Sequence, residues 1–334
     1  MVICLFILLL RVVTIIWGVL KRLRKWYCRQ SLGGADAIKF QHHLPDEEML
    51  PDIPMSDNFN MSLYEFLKKY ALTLKQHIEL KSYCESIGIQ YLCTPFSWKA
   101  AQELNEIGVD AFKIGSGEIT DVPTLKRIAG FGKPMIVSTG MSTFEEIDRT
   151  YNVLVESNVP LVLMNCVSEY PPAYEDINLK VINKMIDRYP KAIIGHSDHT
   201  PDLYTCFAAV TIGAKVIEKH VILDKRQLGP DQSVSIDFAD LYPLVEGVRK
   251  IKFALGTTEK KVHQREKQIR EWAFRSLVST KSINVGEVIT DDMIWSKRPG
   301  IGIPSHMRNK VIGLKAKKDI PANKLLSWDD FEIR

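Results

Sequence analysis

Short apolar runs rich in β-branched residues alternate with amphipathic stretches from residue 35 to about residue 255. The runs cover residues 35–41, 90–96, 111–117, 134–140, 161–167, 192–198 and 216–222. Helical periodicity is clearest over residues 62–87, 122–129, 142–157 and 238–255, and Ser142 or Thr143, followed by Glu145 and Glu146, gives the third of these a capped start. Continuous apolar strands that alternate with helices indicate a parallel sheet that is covered on both faces.

The number of runs favours one α/β architecture over another. Seven predicted strands leave a (β/α)8 barrel one strand short. The alternative is an open doubly wound sheet, but no G-x-G-x-x-G turn follows a first strand. The pattern therefore predicts a TIM barrel whose first strand is atypical or missing.

The pattern changes beyond residue 255. A charged linker is predicted at 256–275, and residues 276–334 contain short strands and turns with little room for helix. Within them, 279–293 and 316–331 resemble each other as a weak internal repeat. We predict an atypical N-terminal segment over 1–32, a barrel over 33–255 and a small β-rich domain over 276–334.

The N-terminal segment is apolar over residues 2–20, apart from Arg11, Thr14 and Gly18, and four basic residues follow it at 21–25. A bilayer span needs roughly 20 apolar residues, and positive charge on the C-terminal side would keep the rest of the chain cytoplasmic. The segment is therefore interpreted either as a membrane anchor or as a buried strand and helix of a globular fold.

Net charge and cysteine content exclude some classes of partner and of binding site. The net charge is +4 in 334 residues, without a basic stripe beyond residue 25, which argues against a nucleic-acid partner. Six cysteines show neither metal-ligand spacing nor the density of a disulfide scaffold. We expect reduced thiols and a cytoplasmic protein whose membrane contact, if any, is made through residues 2–20.

Polar side chains interrupt the apolar runs near their C-terminal ends, where a barrel carries its catalytic groups. They are Lys39, Gln41, Thr94, Lys113, Ser116, Glu118, Ser138, Thr139, Ser168, Tyr170, Ser197, Asp198, His199, Lys219 and His220. Lysines and hydroxyls that converge at one mouth suit a phosphate group, because they supply charge and hydrogen-bond donors. A single serine is better explained as a helix N-cap, so the inference depends on the convergence.

His199 and His220 end two neighbouring predicted strands. Two neutral imidazoles can bind one divalent ion and leave open positions for substrate and water. A lone histidine is more often a hydrogen-bonded structural residue, and His196 is interpreted in that way. The pair at adjacent strand ends, with Glu118 across the mouth, favours a metal site.

Six ordered motifs carry a family resemblance: FKIGSGE (112–118), STGMST (138–143), GHSDHT (195–200), EKH (218–220), GPD (229–231) and KRPG (297–300). Together they closely resemble the sialic acid synthases over residues 33–334. The resemblance implies a TIM barrel joined to an antifreeze-like SAF domain of the β-clip type, in a domain-swapped homodimer. It also implies condensation of phosphoenolpyruvate with an N-acetylated amino sugar such as N-acetylmannosamine, which gives a nine-carbon 2-keto acid and phosphate.

The resemblance also assigns roles to residues. It implies that His199 and His220 ligate a divalent metal, Mn²⁺ or alternatively Mg²⁺ or Co²⁺, and that Glu118 acts at the reacting centre. It places near phosphoenolpyruvate the residues Lys39, Lys113, Ser116, Ser138, Ser168 and Ser197. It places near the sugar Asn58, Thr94, Tyr170 and Asp231, with Arg298 reaching the N-acetyl group from a partner chain. Gln41, at the same mouth, is a further substrate-binding candidate.

The KIGSGE motif at residues 113–118 resembles the N-acetylneuraminate and legionaminate branches of the family, whereas pseudaminate synthases typically read KIASFE. The sequence therefore leaves an N-acetylneuraminate-type and a legionaminate-type synthase as alternatives.

One departure affects the expected activity. Family members begin with a strand that resembles AEIGINHNG and carries a glutamate at the mouth, but nothing before Gly33 matches it, and the expected position falls near Arg11. Three explanations are open: a shifted reading frame, a membrane-tethered variant, or residues 6–17 as an improvised first strand. The alternative to a working synthase is therefore a catalytically impaired homologue that acts as a scaffold.

Overall fold

Eight parallel strands form a closed barrel in the computed structural model, which describes residues 3–8, 34–53, 61–222, 225–226 and 231–332. The strands are β1 (Ile3–Leu8), β2 (Ala37–His42), β3 (Gln90–Pro95), β4 (Phe112–Ile114), β5 (Met135–Ser138), β6 (Leu161–Cys166), β7 (Ala192–Asp198) and β8 (Val216–Val221). Each strand pairs with the next along the chain, and β1 also pairs with β8. The prediction of a TIM barrel is confirmed.

Helices connect the strands on the outside of the barrel. They are α1 (Pro45–Glu48), α2 (Leu63–Tyr70), α3 (Leu74–Ser86), α4 (Trp98–Glu106), α5 (Val122–Ala129), α6 (Phe144–Glu156), α7 (Val181–Arg188), α8 (Tyr204–Thr211) and α9 (Phe238–Leu255). The capped start predicted for the third helical stretch is present, because Thr143 and Glu146 form a reciprocal capping box.

The single helix predicted over residues 62–87 is wrong, because two helices occupy this range. Leu63–Tyr70 ends at Ala71, and a new helix starts after Thr73. The Thr73 hydroxyl accepts a hydrogen bond from the backbone N–H of Gln76, whose side chain in turn accepts one from the N–H of Thr73. This capping box starts a new helix inside the stretch that helical periodicity alone predicts as one continuous helix.

Alternation along the strands separates two buried layers. Ala37, Leu92, Ile136, Met164 and Val216 form one cluster inside the barrel. Strand residues of the opposite parity, such as Ile38, Phe112 and Ile217, belong to the larger core between the barrel and the helices. Because successive side chains point to opposite faces of a strand, each further residue of β2–β8 can be assigned to one side.

Strand β1 lies earlier in the chain than the improvised strand predicted over residues 6–17. It spans Ile3–Leu8, and Arg11, near which the expected acidic position was predicted, lies outside the described residues. The register sets residue 7 level with Lys39 and with His220. A main-chain ladder on both sides lets an apolar β-branched segment close the ring.

The membrane anchor predicted over residues 2–20 overlaps this strand, and its remainder, residue 2 and residues 9–20, lies outside the described residues. None of the helices in the described parts of the chain combines the length and the apolar composition that a bilayer span requires. The side chains of Cys84, Cys93, Cys166 and Cys206 are all buried.

The chain divides into two compact units, Met1–Gly256 and Thr257–Arg334. The second unit contains α10 (Gln264–Ala273), β9 (Ser276–Ser279), β10 (Ile294–Lys297), α11 (Arg308–Val311), β11 (Lys315–Ala316) and β12 (Phe331–Glu332). Strands β9 and β10 pair antiparallel, as do β11 and β12. The range predicted as a linker, 256–275, therefore includes a helix.

The internal repeat of the second unit has a structural counterpart. Ile283 and Ile320 face each other, and each donates its backbone N–H to the other's carbonyl at 2.8 Å. Gly286 and Asn323, three residues further along each copy, both have positive φ. Each copy then enters a short 3₁₀ turn, at Asp291–Met293 and at Trp328–Asp330.

Candidate active site

A fully enclosed carboxylate lies between two lysines on the inner face of the barrel. Glu218 Oε1 is 3.3 Å from Lys39 Nζ and 3.7 Å from Lys113 Nζ. The Ser197 hydroxyl donates to the same Oε1 at 2.9 Å, and Lys113 donates to Ser138 Oγ at 2.6 Å. Strands β2, β4, β5, β7 and β8 thus each contribute one polar side chain to a single connected group.

The charges of this group are set by burial and by mutual attraction. Burial opposes ionisation of Glu218, but the ammonium groups of Lys113 and Lys39 bring the pKa of that carboxyl below its ordinary value. Burial lowers the pKa of Lys39 to about 8, although Glu218 opposes the shift. Two cations and one anion leave a net positive pocket, which suits an anionic ligand.

Two predicted serines meet next to a glycine at the mouth. The backbone N–H of Gly140 donates to Ser116 Oγ at 3.1 Å. A Cβ at Gly140 would lie 2.2 Å from Ser168 Oγ and 2.8 Å from Ser116 Oγ, so a side chain here would displace both hydroxyls. The hydroxyls of Ser116 and Ser168 therefore come together beside the backbone of the STGMST loop.

His199 and His220 face each other at the ends of the neighbouring strands β7 and β8. Their ring centroids are 5.0 Å apart at an interplanar angle of 82°. Nδ1 of His199 lies 2.6 Å from the carbonyl of Val167, which can only accept, so this nitrogen carries the proton. Tyr170 stacks on the His199 ring at 4.3 Å and its hydroxyl is 3.2 Å from Nε2.

The two imidazoles fit a divalent metal. Burial, with the charges of His199 and Lys39, lowers the pKa of His220 well below its ordinary value, which favours the neutral ring. Its Nδ1 is buried with no hydrogen-bond partner, 3.9 Å from Asp231 Oδ1. Within the described residues, no group of three or more His, Cys, Asp or Glu side chains is arranged to hold a metal.

Three further predicted residues have the following surroundings. Glu118 Oε2 is buried without a hydrogen-bond partner, and burial raises the pKa of this carboxyl to about 7. Thr94 Oγ1 is likewise buried and unpartnered. Gln41 is half-buried and pairs with Thr94 in the register of β2 and β3. Unpaired buried polar atoms are rare in proteins, and a ligand or an ordered water at the mouth would satisfy these.

Two predicted sugar-site residues do not join this description. Asn58 lies outside the described residues. Arg298 belongs to the second unit, where its Nε donates to the carbonyl of Ala273 at 3.1 Å and its guanidinium lies 5.5 Å from the Trp272 ring centroid.

Glu218 was absent from the predicted site, although the EKH motif contains it. The signal was available, since a charged residue two positions before His220 shares its face of the strand. The opposite error concerns Asp198 and Lys219, which were predicted at the mouth. They are buried on the outer face of β7 and β8, where Lys219 Nζ lies 2.5 Å from Asp198 Oδ2.

The sequence model of the NeuB family matches residues 30–260, which is most of the chain and includes all the barrel residues discussed above except those of β1. The chain belongs to the NeuB family. A SAF domain matches residues 274–332 of the same NeuB protein, as the resemblance predicted.

Relatives of this NeuB protein include synthases of different sugar acids. The N,N'-diacetyllegionaminic acid synthase of Campylobacter jejuni is 37% identical over 302 residues, which cover 88% of this chain and 90% of that protein. The pseudaminic acid synthase of Helicobacter pylori is 32% identical over 308 residues, with 90% of each chain covered. The crystal structure of an N-acetylneuraminic acid synthetase from Leptospira borgpetersenii, in complex with citrate, superposes with a TM-score of 0.70 at 27% identity, covering 80% of this chain and 90% of that chain.

Proposed function

We propose that this NeuB-family protein condenses phosphoenolpyruvate with an N-acetylated amino sugar, N-acetylmannosamine or a close analogue, to a nine-carbon 2-keto sugar acid and phosphate. The observation that carries the proposal is the positive pocket of Lys39 and Lys113 around Glu218, which lies below two facing imidazoles. An anionic substrate and a carbonyl substrate would meet between these two groups.

The pocket suits phosphoenolpyruvate by charge and by donors. The two ammonium groups offset negative charge on its phosphate and carboxylate, and they continue to do so as the phosphate leaves. The hydroxyls of Ser138 and Ser197 already donate to or accept from these charged groups. Ser116, Ser168 and the N–H of Gly140 add donors at the mouth.

The reaction balances without a redox partner. The enol carbon of phosphoenolpyruvate bonds to the aldehyde carbon of the open-chain sugar, and the aldehyde oxygen takes up a proton. Water then adds to the phosphate-bearing carbon and loses one proton, which balances the proton taken up by the aldehyde oxygen. The carbon–oxygen bond to phosphate breaks as the second proton of that water passes to the phosphate, which leaves the keto group. Glu118, whose pKa of about 7 allows both protonation states at neutral pH, is the group we assign to move a proton here.

A divalent ion held by His199 and His220, Mn²⁺ or alternatively Mg²⁺ or Co²⁺, would supply Lewis-acid chemistry for the aldehyde oxygen. The protein's own residues hold the imidazoles for this purpose. The Val167 carbonyl fixes the proton of His199 on Nδ1, and Tyr170 fixes the plane of the ring.

The sugar would occupy the outer part of the mouth, near Thr94, Gln41, Tyr170 and Asp231. Thr94 Oγ1, which is buried without a partner, suits a sugar hydroxyl. We also propose a domain-swapped homodimer in which Arg298 of one chain contacts the N-acetyl group bound by the other, together with Asn58. The family resemblance supports this assignment.

A legionaminate-type substrate is the second candidate, and the 37% identity to the Campylobacter jejuni enzyme favours it. A catalytically impaired homologue is the third. The observation in its favour is that residue 7 of β1, level with Lys39 and His220 in the register, is an isoleucine where the family resemblance led us to expect a glutamate at the mouth.

The direct test is release of phosphate from phosphoenolpyruvate by the full chain with Mn²⁺. N-acetylmannosamine and an amino sugar with two acetamido groups are compared as acceptors. Preferential turnover of the first supports the N-acetylneuraminate type, and preferential turnover of the second supports the legionaminate type. No phosphate release with either, from folded protein that binds Mn²⁺, would leave the impaired homologue.

His220→Ala provides the prediction at the level of one residue. Loss of one imidazole from a site with only two should reduce Mn²⁺-dependent turnover by at least about 100-fold, because outer-shell changes alone cost 10- to 100-fold. His306→Ala, which removes an exposed histidine of the second unit, is the control and should retain wild-type turnover. Undiminished turnover by the His220 variant would refute the ligand assignment.

A further inference from the structure

A second buried polar group lies directly behind the two histidines, on the outer face of β7 and β8. We call it the strand-end clamp, and its members are Asp198, Thr200, Thr205 and Lys219. Lys219 Nζ lies 2.5 Å from Asp198 Oδ2 and also donates to the backbone carbonyl of Thr200. The hydroxyls of Thr200 and Thr205 each donate to Asp198 at 2.7 Å.

The clamp is closed to solvent. The exposed fractions are 2% for Asp198, 6% for Thr205 and 0% for both Thr200 and Lys219. The Asp198 carboxylate accepts hydrogen bonds from four side chains, those of Thr200, Thr205, Cys206 and Lys219, so its charge is compensated by hydroxyl and thiol donors as well as by the ammonium group.

The chain positions of these residues couple the clamp to the site. Asp198 and Thr200 stand immediately before and after His199, and Lys219 immediately precedes His220. Because successive residues point to opposite faces of a strand, holding Asp198 and Lys219 on the outside constrains the direction of the residues that follow them, His199 and His220. The bond from Lys219 to the Thr200 carbonyl links the two strand ends through the main chain.

Stability alone is a weak reason for such a group. A buried ion pair pays a large desolvation cost, and well-packed apolar residues of similar volume are often as stabilising or more so. A fixed spatial relation between two strand ends, in contrast, is something that directional hydrogen bonds provide and apolar contacts do not. The facing geometry of His199 and His220 is such a relation.

We propose that Asp198, Thr205 and Lys219 are positioning residues, which hold the imidazoles of His199 and His220 in the mutual orientation that binds a divalent ion. The inference rests on the proposed function only in assigning a metal to the two histidines. It adds that metal affinity depends on residues that touch neither metal nor substrate.

The test measures Mn²⁺ binding to the full chain without substrates, by the electron paramagnetic resonance signal of free Mn²⁺. Asp198→Asn should weaken binding by about 10- to 100-fold, the range seen when groups that orient metal ligands are removed. Thr205→Val, which deletes one hydroxyl at nearly constant volume, should weaken binding by several-fold, and Thr205→Ser should restore it.

Tyr189→Phe is the matched control. Tyr189 is also buried, and its hydroxyl also donates to an aspartate, Asp148, at 2.9 Å. It precedes β7, at the end of the barrel away from the mouth. The Kd of the Tyr189→Phe variant for Mn²⁺ should stay within about twofold of the wild-type value. This should hold even if its temperature of unfolding falls as far as that of Thr205→Val.

Each result decides the proposal. If Thr205→Val and Asp198→Asn lower the temperature of unfolding but bind Mn²⁺ as tightly as wild type, the clamp is structural only and the proposal is overturned. If Asp198→Asn does not fold, the Thr205 pair alone decides it. Wild-type protein that binds no Mn²⁺ also overturns it, whereas clamp-dependent binding without phosphate release refutes the proposed function and leaves the clamp standing.

Discussion

Glu118 combines a buried carboxyl group, an unpartnered oxygen and a pKa of about 7. The ordinary value for this group is 4.5, so between pH 4.5 and 7 the folded chain binds more protons than the unfolded chain. Stability therefore falls as the pH rises through this window. The same burial that prepares Glu118 for proton transfer makes its ionised form costly.

Glu118→Gln should remove this pH dependence. Relative to wild type, the free energy of unfolding of the variant should gain about 3 kcal/mol between pH 4 and pH 8, which corresponds to the difference between about 7 and 4.5 at 1.36 kcal/mol per pKa unit. Urea unfolding at both pH values measures the change. The control Glu145→Gln alters an exposed glutamate and should show no such gain. An equal gain in both variants would contradict the assignment.

At this scale the sequence predicted residue types better than partners. Lys39, Lys113, Ser138 and Ser197 are connected as one group, but their common partner, Glu218, was not predicted. A position near a strand end indicates how close a residue lies to the mouth of the barrel. It does not indicate whether the side chain lies on the inner or the outer face of the strand. Glu218 and Lys219 are neighbours in sequence, yet one lies in the candidate site and the other in the clamp.

Among the elements, those with strong local signals were predicted best. Phe238–Leu255 has the predicted bounds, and the capping box at Thr143 starts the helix as predicted. Helices α4, α7 and α8 were not singled out. Strand β1 could not be located from side-chain pattern, because a uniformly apolar run contains no register; pairing with both β2 and β8 selects Ile3–Leu8.

Phe6→Pro tests the role of β1. Residue 6 is paired with Ile38 on one side and with Lys219 on the other, and proline lacks the N–H that a central strand needs. The free energy of unfolding should fall by at least about 2 kcal/mol, since buried partners lose their hydrogen bonds. Glu259→Pro, in an exposed irregular segment, should change it by less than about 0.5 kcal/mol. Equal stability of the two variants in urea would show that β1 does not close the barrel.

The whole molecule is organised as two units with separate cores. In the second unit, the core includes Leu277, Ile283, Ile320 and Phe331. Between Leu255 and Gln264 the backbone is irregular, and the residues are exposed. Such segments, with few contacts of their own, are where chains are cut first by proteases.

Limited trypsin digestion should therefore cut first, within the described residues, after Lys260 or Lys261. The two resulting fragments should resist further cleavage, since each contains a packed core. Mass spectrometry identifies the cut, and replacement of both lysines by glutamine should slow it at least severalfold. First cuts inside the barrel helices would contradict the division into two units.

The strand that closes the barrel has a consequence for how such chains are recognised. The family match begins at residue 30, whereas the hydrogen-bonded ring begins at residue 3. Sequence similarity is scored on the identity of the side chains. Closure of the ring depends on the backbone N–H and C=O groups, which every residue except proline provides in full. In this chain the strand that completes the ring therefore lies outside the range by which the family is recognised.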